Sequence, residues 1–213
     1  MRLYLLAMMD EANEIIKEFE IIQENPFNLY RKENALLAIT GIGKVNAAFV
    51  LTHILKTYPD VDEVINLGFA GAYGNYNIGD FVLVDEAIYH DFDLTMFNYK
   101  KGQVPNIKED FITNNKYLTL FYDLKRTVLY TGDYFLSEKL SENFLVDMEG
   151  SALYHVAYLS NVYIFSVKVV SDIIGSKEHL EEYKDFEKNG AKYLLKLFNL
   201  IEVRLNEKGL NFT

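Results

Sequence analysis

Short apolar runs and amphipathic stretches alternate along the chain, and together they predict its secondary structure. The unbroken apolar run at 3–8 and the β-branched run at 162–170 are typical of strands covered on both faces. Strands are predicted at 3–8, 34–40, 61–67, 81–89, 127–130, 144–146 and 162–170. Helices are predicted at 10–19, 106–122, 149–159 and 180–206, with another of about 12 residues beginning near Lys44. This alternation predicts an α/β fold of three layers, α/β/α, around a central mixed, mostly parallel sheet, in one domain covering residues 1–213.

Acidic and aromatic side chains follow several predicted strands at the point where each strand ends. Four of them are Glu11, Phe135, Glu149 and Asp172. Because the carboxyl ends of parallel strands meet at one edge of a sheet, where ligands bind, we expect these side chains to lie together. Asp147 and Glu149 also suit the first turn of a helix, where acids satisfy free N–H groups. The other acids at the same edge favour a functional site over a helix start alone.

Several carboxylates at one edge suit the cleavage of a nucleoside. A carboxylate binds ribose hydroxyls because each of its ionised oxygens accepts a strong hydrogen bond. A carboxylic acid protonates a heterocycle nitrogen and makes it a better leaving group, while another carboxylate takes a proton from the attacking water. Burial tunes the pKa values that separate these two tasks.

The glycine-rich segments are less specific. The segment "GIGK" at 41–44 lacks the spacing of a phosphate-binding P-loop, and no GxGxxG fingerprint follows a strand. The third strand is expected to end in a loop at Gly68, where Gly68 and Gly71 would allow the backbone to approach a ligand closely. An ordinary tight turn is the alternative for both segments.

Composition excludes several classes of function. The chain contains no cysteine, and its four histidines show no metal-ligand spacing, so neither a metal nor another cofactor is predicted. A net charge of −10 argues against a nucleic-acid partner. The apolar runs are too short to cross a bilayer, and the N-terminal run meets acids at once, unlike a signal peptide. We therefore expect a soluble, cytoplasmic protein without a membrane partner.

Eight segments carry a family resemblance: "AMMDE", "TGIGKVNAA", "NLGFAGA", "IGDFVLVDEAIYHDFDLT", "GQVP", "TGDYF", "VDMEGSALYHVA" and "VVSD". In this order the chain resembles the nucleoside phosphorylase/nucleosidase superfamily over nearly its whole length. Within it the chain is most similar to the 5′-methylthioadenosine/S-adenosylhomocysteine nucleosidases. The resemblance implies hydrolysis of the N-glycosidic bond of these two nucleosides, which releases adenine and the 5-thio-substituted ribose. Substrate and water would be the only small molecules required.

The resemblance also implies roles for single residues. Glu11 matches the general base that deprotonates the water, and Asp172, preceded by Ser171, matches the acid that protonates adenine N7. Glu149 and the Met148 backbone match the ribose-binding group. The remaining expected substrate contacts are Phe135, which stacks on the purine, the backbone of Leu136, and Met8, Ile42, Phe69, Ala70, Gly71 and Tyr183. Asp147 is expected to support the start of the helix.

A neighbouring subunit is also implied. Leu94, Phe97 and Pro105 match residues that complete the 5′-alkylthio pocket of the adjacent protomer, so a homodimer is expected.

Departures from the family pattern leave alternatives open. Phe69 stands where a serine is usual, Gly150 where alanine is usual, and Lys168 where an arginine is common, while Tyr183 is displaced from the usual aromatic position. A nucleosidase for another 5′-modified nucleoside, such as futalosine or aminodeoxyfutalosine, is the main alternative. A purine nucleoside phosphorylase is disfavoured because none of the four arginines falls in the expected loops. A nucleoside-binding protein without catalysis is disfavoured because Glu11, Glu149 and Asp172 are all present.

Overall fold

The computed structural model describes residues 1–107, 110–176 and 179–210, with only the backbone of 208–210. The strands are β1 (Arg2–Leu6), β2 (Glu20–Gln23), β3 (Leu29–Lys32), β4 (Ala35–Ile39), β5 (Glu63–Tyr73), β6 (Phe81–Tyr89), β7 (Phe111–Ile112), β8 (Lys125–Thr131), β9 (Phe144–Asp147) and β10 (Tyr163–Ile173). The helices are α1 (Met9–Ala12), α2 (Lys44–Thr57), α3 (Asn115–Leu120), α4 (Gly150–Ser160), α5 (His179–Glu187) and α6 (Ala191–Leu210), with short 3₁₀ helices at Ile16–Glu18 and Thr95–Phe97.

One mixed sheet joins the strands, and its longest ladders are parallel. The strand order is β10-β6-β8-β9-β5-β1-β4-β3-β2, with β7 beside β6. Strand β10 also pairs with β5, in parallel, so β5, β10, β6, β8 and β9 form a closed ring. This barrel was not foreseen from the sequence, but the central mixed sheet of the predicted α/β fold is confirmed.

Helices cover both faces of the sheet, which gives the predicted three layers. The side chains of β1 alternate between two cores because successive residues of a strand point to opposite faces. Leu3 and Leu5 are buried with residues of α2 and α4, whereas Tyr4 and Leu6 are buried with residues of α6. Within the described residues, no helix combines the length and the apolar character needed to span a membrane.

Three predicted helices differ from the structure. The helix predicted at 10–19 is the four-residue helix α1, followed by the 3₁₀ helix at Ile16–Glu18. Local hydrogen bonds and packing explain the other two differences. Two residues of the helix predicted at 106–122, Lys108 and Glu109, lie outside the described residues. In the rest of that segment β7 pairs with β6, and α3 begins only after Asn114, whose side chain accepts a hydrogen bond from the Lys116 N–H. The helix predicted at 180–206 is two helices, α5 and α6. The chain turns between them at Gly190, where a Cβ atom would lie 2.5 Å from the Phe69 ring.

Among the predicted strands, β5 differs most from its prediction, whereas β2, β3 and β7 lie where no strand is predicted. It continues through the glycines where a loop was expected and ends only at Tyr73. Its second half pairs with β10 on one side and with β9 on the other. Pairing with these two strands keeps the backbone of β5 extended, although its glycine-rich local sequence favours a turn. Both partners are distant in sequence, so the residues around Gly68 do not predict them.

Candidate active site

A cavity of about 150 Å³ lies at the carboxyl ends of β1, β5, β9 and β10. Each residue expected to serve as catalyst or substrate contact within the same protomer lines it: Met8, Glu11, Ile42, Phe69, Ala70, Gly71, Phe135, Leu136, Met148, Glu149, Ser171, Asp172 and Tyr183. The cavity also includes Ala7, Tyr134, Val146, Asp147 and His179. The edge of the sheet therefore brings together side chains from across the whole chain.

Glu11 is held at the floor of the cavity by backbone donors. Its Oε2 accepts hydrogen bonds of 2.9 Å from the N–H groups of Ala7 and Met8, and its Oε1 accepts one of 2.8 Å from Phe69. The carboxyl group is 2 % exposed, and burial raises its pKa despite these donors and the nearby Lys168. A carboxylate fixed in this way keeps one orientation towards the cavity and binds a proton readily.

Asp172 has a partner on each oxygen. The Ser171 hydroxyl donates to Oδ1, and Oδ2 lies 2.6 Å from Nε2 of His179. Asp172 is 1 % exposed, and burial raises its pKa, although Ser171 and His179 oppose the shift. A raised pKa favours the protonated form that an acid catalyst requires.

Glu149 and Asp147 occupy different positions at the start of α4. Glu149 lines the cavity, and its Oε1 accepts a 2.8 Å hydrogen bond from the Gly43 N–H at the start of α2. Asp147 accepts hydrogen bonds from the Thr131 hydroxyl at 2.6 Å and from the Gly150 N–H at 3.0 Å. Asp147 therefore holds the first turn of α4, the supporting position that the sequence predicts.

Lys168 places a positive charge among these acids. Its Nζ lies 2.9 Å from Asp147 Oδ2, and both side chains are 2 % exposed. Burial lowers the pKa of Lys168, but the negative charges of Asp147, Glu149 and Glu11 have the larger combined effect, so the pKa of Lys168 is raised. Burial and the charge of Asp147 raise the pKa of Glu149 to about 8, against the influence of Lys168. Glu149 therefore binds a proton more readily than a free carboxyl group does.

Two glycines of β5 make room for the acids. A Cβ atom at Gly68 would lie 2.8 Å from Glu11 Oε1, and one at Gly71 would lie 2.8 Å from Asp172 Oδ2. Both distances are too short for a real side chain. The expected close approach at these glycines is thus made by carboxylates of the protein itself, within an unbroken strand.

Aromatic side chains cover the cavity from the loop after β8 and from α5. The Phe135 ring is 48 % exposed, and its centroid lies 4.8 Å from that of His179 and 5.8 Å from that of Tyr183. The Tyr183 hydroxyl donates to Glu187 and lies 3.8 Å from the Met8 sulfur. The exposed face of Phe135 is available to stack on a flat ligand.

Phe69, which stands where a serine is usual, packs its ring against α5. Its ring packs edge-on against Phe186 at 5.2 Å between centroids and closes over Gly190. It is 7 % exposed, so it adds an apolar wall to the cavity.

An ion-pair network links the loops on either side of the cavity mouth. Lys44 Nζ lies 2.6 Å from Asp91 Oδ2 and 3.4 Å from Asp133 Oδ2. The Asp133 N–H donates to Asp91, and the Lys44 N–H donates to Asp133. The network fixes the loop of Gly43, which contacts Glu149, against the loop that carries Phe135.

The residues expected to serve a neighbouring subunit lie outside this cavity. Phe97 is 63 % exposed on the segment after β6, and Leu94 and Pro105 are half-buried there. None of the three lines the cavity of its own chain.

His179 is the main site residue that the sequence did not indicate. Its spacing from the other histidines does not indicate a metal ligand. Its position seven residues after Asp172, at the first residue of α5, is the signal that was available. Packing of α5 against β10 brings it within hydrogen-bond distance of Asp172.

Comparisons with known proteins agree on one family. Residues 3–202 match the model of the phosphorylase superfamily. A 5′-methylthioadenosine/S-adenosylhomocysteine nucleosidase from Bacillus licheniformis is 30% identical over 234 aligned positions, covering 97% of this chain and 100% of that protein.

Two solved structures share the fold and part of the sequence. One is an adenine-bound protein from Borrelia burgdorferi B31 assigned as such a nucleosidase, with a TM-score of 0.85, 27% identity and coverage of 95% of this chain and 100% of that one. The other is the nucleosidase of Neisseria meningitidis in complex with methylthio-immucillin-A, with a TM-score of 0.84, 25% identity and coverage of 94% and 97%.

Proposed function

Because the chain belongs to the phosphorylase superfamily, and within it to the 5′-methylthioadenosine/S-adenosylhomocysteine nucleosidases, we propose that it hydrolyses the N-glycosidic bond of these two nucleosides. The products are adenine and the 5-thio-substituted ribose. One observation carries the proposal: Glu11, Glu149 and Asp172 are buried around one cavity, and burial raises the pKa of each. Relatives at this level of similarity bear the names of these nucleosidases, so futalosine is not favoured as the substrate.

Asp172 acts on the leaving group. The C1′–N9 bond breaks with its electron pair moving to the purine, and a proton on Asp172 transferred to N7 neutralises the developing negative charge. The raised pKa of Asp172 supports this role because it keeps the acid protonated at higher pH. The Ser171 hydroxyl fixes the other oxygen of the carboxyl group.

Glu11 and Glu149 act on the sugar and the water. Loss of the purine leaves an oxocarbenium-like sugar, whose positive charge is stabilised by the carboxylate of Glu11. Glu11 then takes the proton of the water that attacks C1′, and its three backbone hydrogen bonds keep it aimed at one point. Glu149, with the Met148 backbone, binds the ribose hydroxyls, and its partly protonated state allows it to donate as well as accept.

The apolar walls hold the two ends of the substrate. Phe135 stacks on adenine, and the backbone of Leu136 meets the purine edge. Met8, Ile42 and Tyr183 line the 5′-alkylthio end, and Phe69 and Ala70 close the wall beside it. A thioether is apolar and polarisable, and it suits a wall built from methionine and aromatic side chains.

The charge of the cavity supports water over phosphate as the nucleophile. No arginine or lysine lines the cavity within the described part of the chain, and Lys168 below it is paired with Asp147. A phosphate ion would meet the carboxylate of Glu11 without a cation to balance its charge.

A homodimer, a cytoplasmic location and a single domain of residues 1–213 complete the proposal. The exposed side chains of Met96 and Phe97, together with Leu94 and Pro105, offer an apolar segment that would close the 5′ end of a partner's cavity. Val45 on α2 is also exposed, and α2 is tied to this segment through Lys44 and Asp91. The family match over residues 3–202 supports a single domain.

Product release from the purified protein tests the activity. Methylthioadenosine, S-adenosylhomocysteine, adenosine, inosine and futalosine are incubated with and without phosphate, and the released base is separated by chromatography. We expect adenine from the first two nucleosides at the same rate in both buffers. A strict requirement for phosphate, or release from futalosine alone, would contradict the proposal.

A further inference from the structure

His179 and Asp172 form a buried carboxyl–imidazole pair that the proposed chemistry does not yet use. Nε2 of His179 lies 2.6 Å from Oδ2 of Asp172, and the Ser171 hydroxyl occupies the other carboxyl oxygen. We propose that His179 shares the catalytic proton of Asp172 and returns a proton to it after each turnover. His179 is then a positioning residue for the general acid, and the inference rests on the proposed function.

The proton balance of the reaction creates the need for such a residue. In each turnover Asp172 gives one proton to N7 as the C1′–N9 bond breaks, and Glu11 receives one from the water that bonds to C1′. Adenine leaves with the proton, so Asp172 ends the cycle ionised while Glu11 ends it protonated. Asp172 is 1 % exposed and His179 is 9 % exposed, so the imidazole stands on the solvent side of the pair. His179 takes up a proton from water to replace the one that Asp172 gave away, and Glu11 releases its proton to water, which restores both groups.

A pair of this kind holds one proton over a wider pH range than a lone carboxyl group. Two groups at hydrogen-bond distance titrate together, and the pair as a whole keeps its proton until the more basic member releases it. An imidazole is the side chain whose charge changes near neutral pH. The pair can therefore supply a proton at a pH where an isolated carboxyl group would be ionised.

The surroundings of the pair are well defined. Glu182 of α5 raises the pKa of Asp172 through its negative charge, and its Oε2 accepts a hydrogen bond from the Ile173 N–H at 2.9 Å. Tyr183 of α5 faces the same carboxyl group, and the Phe135 ring covers the imidazole. The other ionisable groups that line the cavity in the described part of the chain are Glu11, Tyr134, Asp147 and Glu149, with Lys168 behind them. These groups are unchanged when His179 alone is replaced.

The test is the pH profile of kcat/KM for methylthioadenosine in the full chain carrying His179→Gln. The amide still donates a hydrogen bond to Asp172, which favours the ionised carboxylate, but it holds no exchangeable charge. We expect the alkaline limb to move to lower pH by about one unit or more, with activity within about fivefold of the unmodified protein on the acid side. His53→Gln, at an exposed position of α2, is the matched control and keeps the original profile.

The outcomes separate this inference from the proposed function. An unmodified protein that releases no adenine overturns both. The inference alone is overturned if the unmodified protein is active, Asp172→Asn is inactive and the pH profile of His179→Gln keeps its shape. The absolute value of kcat/KM does not matter for this decision, because a packing role lowers activity evenly at every pH. Circular dichroism and the melting temperature verify folding, and His179→Asn decides by the same criterion if His179→Gln does not fold.

Discussion

Removal of the Lys168 charge is expected to destabilise the protein measurably. Its Nζ lies 2.9 Å from Asp147 Oδ2, and both side chains are 2 % exposed. In Lys168→Met the side chain keeps a similar length and remains apolar along its stem, so the main change is the loss of the ammonium group. Asp147 is then a buried carboxylate without a counter-ion.

The structure places the expected loss at the lower end of the usual range. Removing one partner of a buried ion pair lowers the free energy of unfolding by about 3–5 kcal/mol. Asp147 keeps its hydrogen bonds from the Thr131 hydroxyl and the Gly150 N–H, which continue to stabilise the carboxylate. We therefore expect a loss of about 3 kcal/mol. For a domain of this size that corresponds to a fall in melting temperature of about 6–12 °C.

Calorimetry and urea unfolding of Lys168→Met and of the double variant Lys168→Met/Asp147→Asn measure this loss. The double variant should recover about 1 kcal/mol or more, because it removes the uncompensated charge. Lys17→Met is the matched control: its ion pair with Glu14 is exposed, and its loss should change stability by less than about 1 kcal/mol. A Lys168→Met protein as stable as the unmodified one, or a double variant that is less stable still, would refute the reasoning.

Three further predictions concern the acids and the glycine beside them. Glu11→Gln should lower kcat by about 10²-fold or more because the amide takes no proton from water, while adenine should still raise the melting temperature; turnover near the original rate would show that another group is the base. Gly68→Ala should lower kcat/KM by about tenfold or more, because its Cβ would lie 2.8 Å from Glu11 Oε1, whereas Gly209→Ala in α6 serves as a control with unchanged kinetics. Burial raises the pKa of Glu149 to about 8, so the folded state holds this proton more tightly than the unfolded state and the free energy of unfolding falls as pH rises from 4.5 to 8. The melting temperature of Glu149→Gln should therefore rise relative to that of the unmodified protein as the pH is raised from 4.5 to 8. A difference between the two melting temperatures that does not change with pH would be inconsistent with a raised pKa.

The sequence by itself determined the elements whose signal is local. Strand β6 occupies the predicted positions 81–89, and α4 begins one residue after the predicted start at Glu149. The signal for each element lies within its own segment, as an apolar run and the acids next to it. Glu11, Glu149 and Asp172 were put forward because each follows a strand, and parallel strands deliver their carboxyl ends to one edge. The cavity contains all three. Their catalytic roles stay predictions until the variants are measured.

Only the tertiary structure decided which groups contact these acids and shift their pKa values. Strand β5 passes through Gly68 without turning because β10 pairs with it there, and the same pairing places Lys168 beside the acids. His179 lies beside Asp172 because α5 packs against β10, a contact that the seven-residue spacing does not reveal by itself. Closure of the barrel likewise depends on β10 meeting both β5 and β6. Each of these features needs contact between segments distant in sequence, whereas hydrophobic periodicity reports only on neighbouring residues.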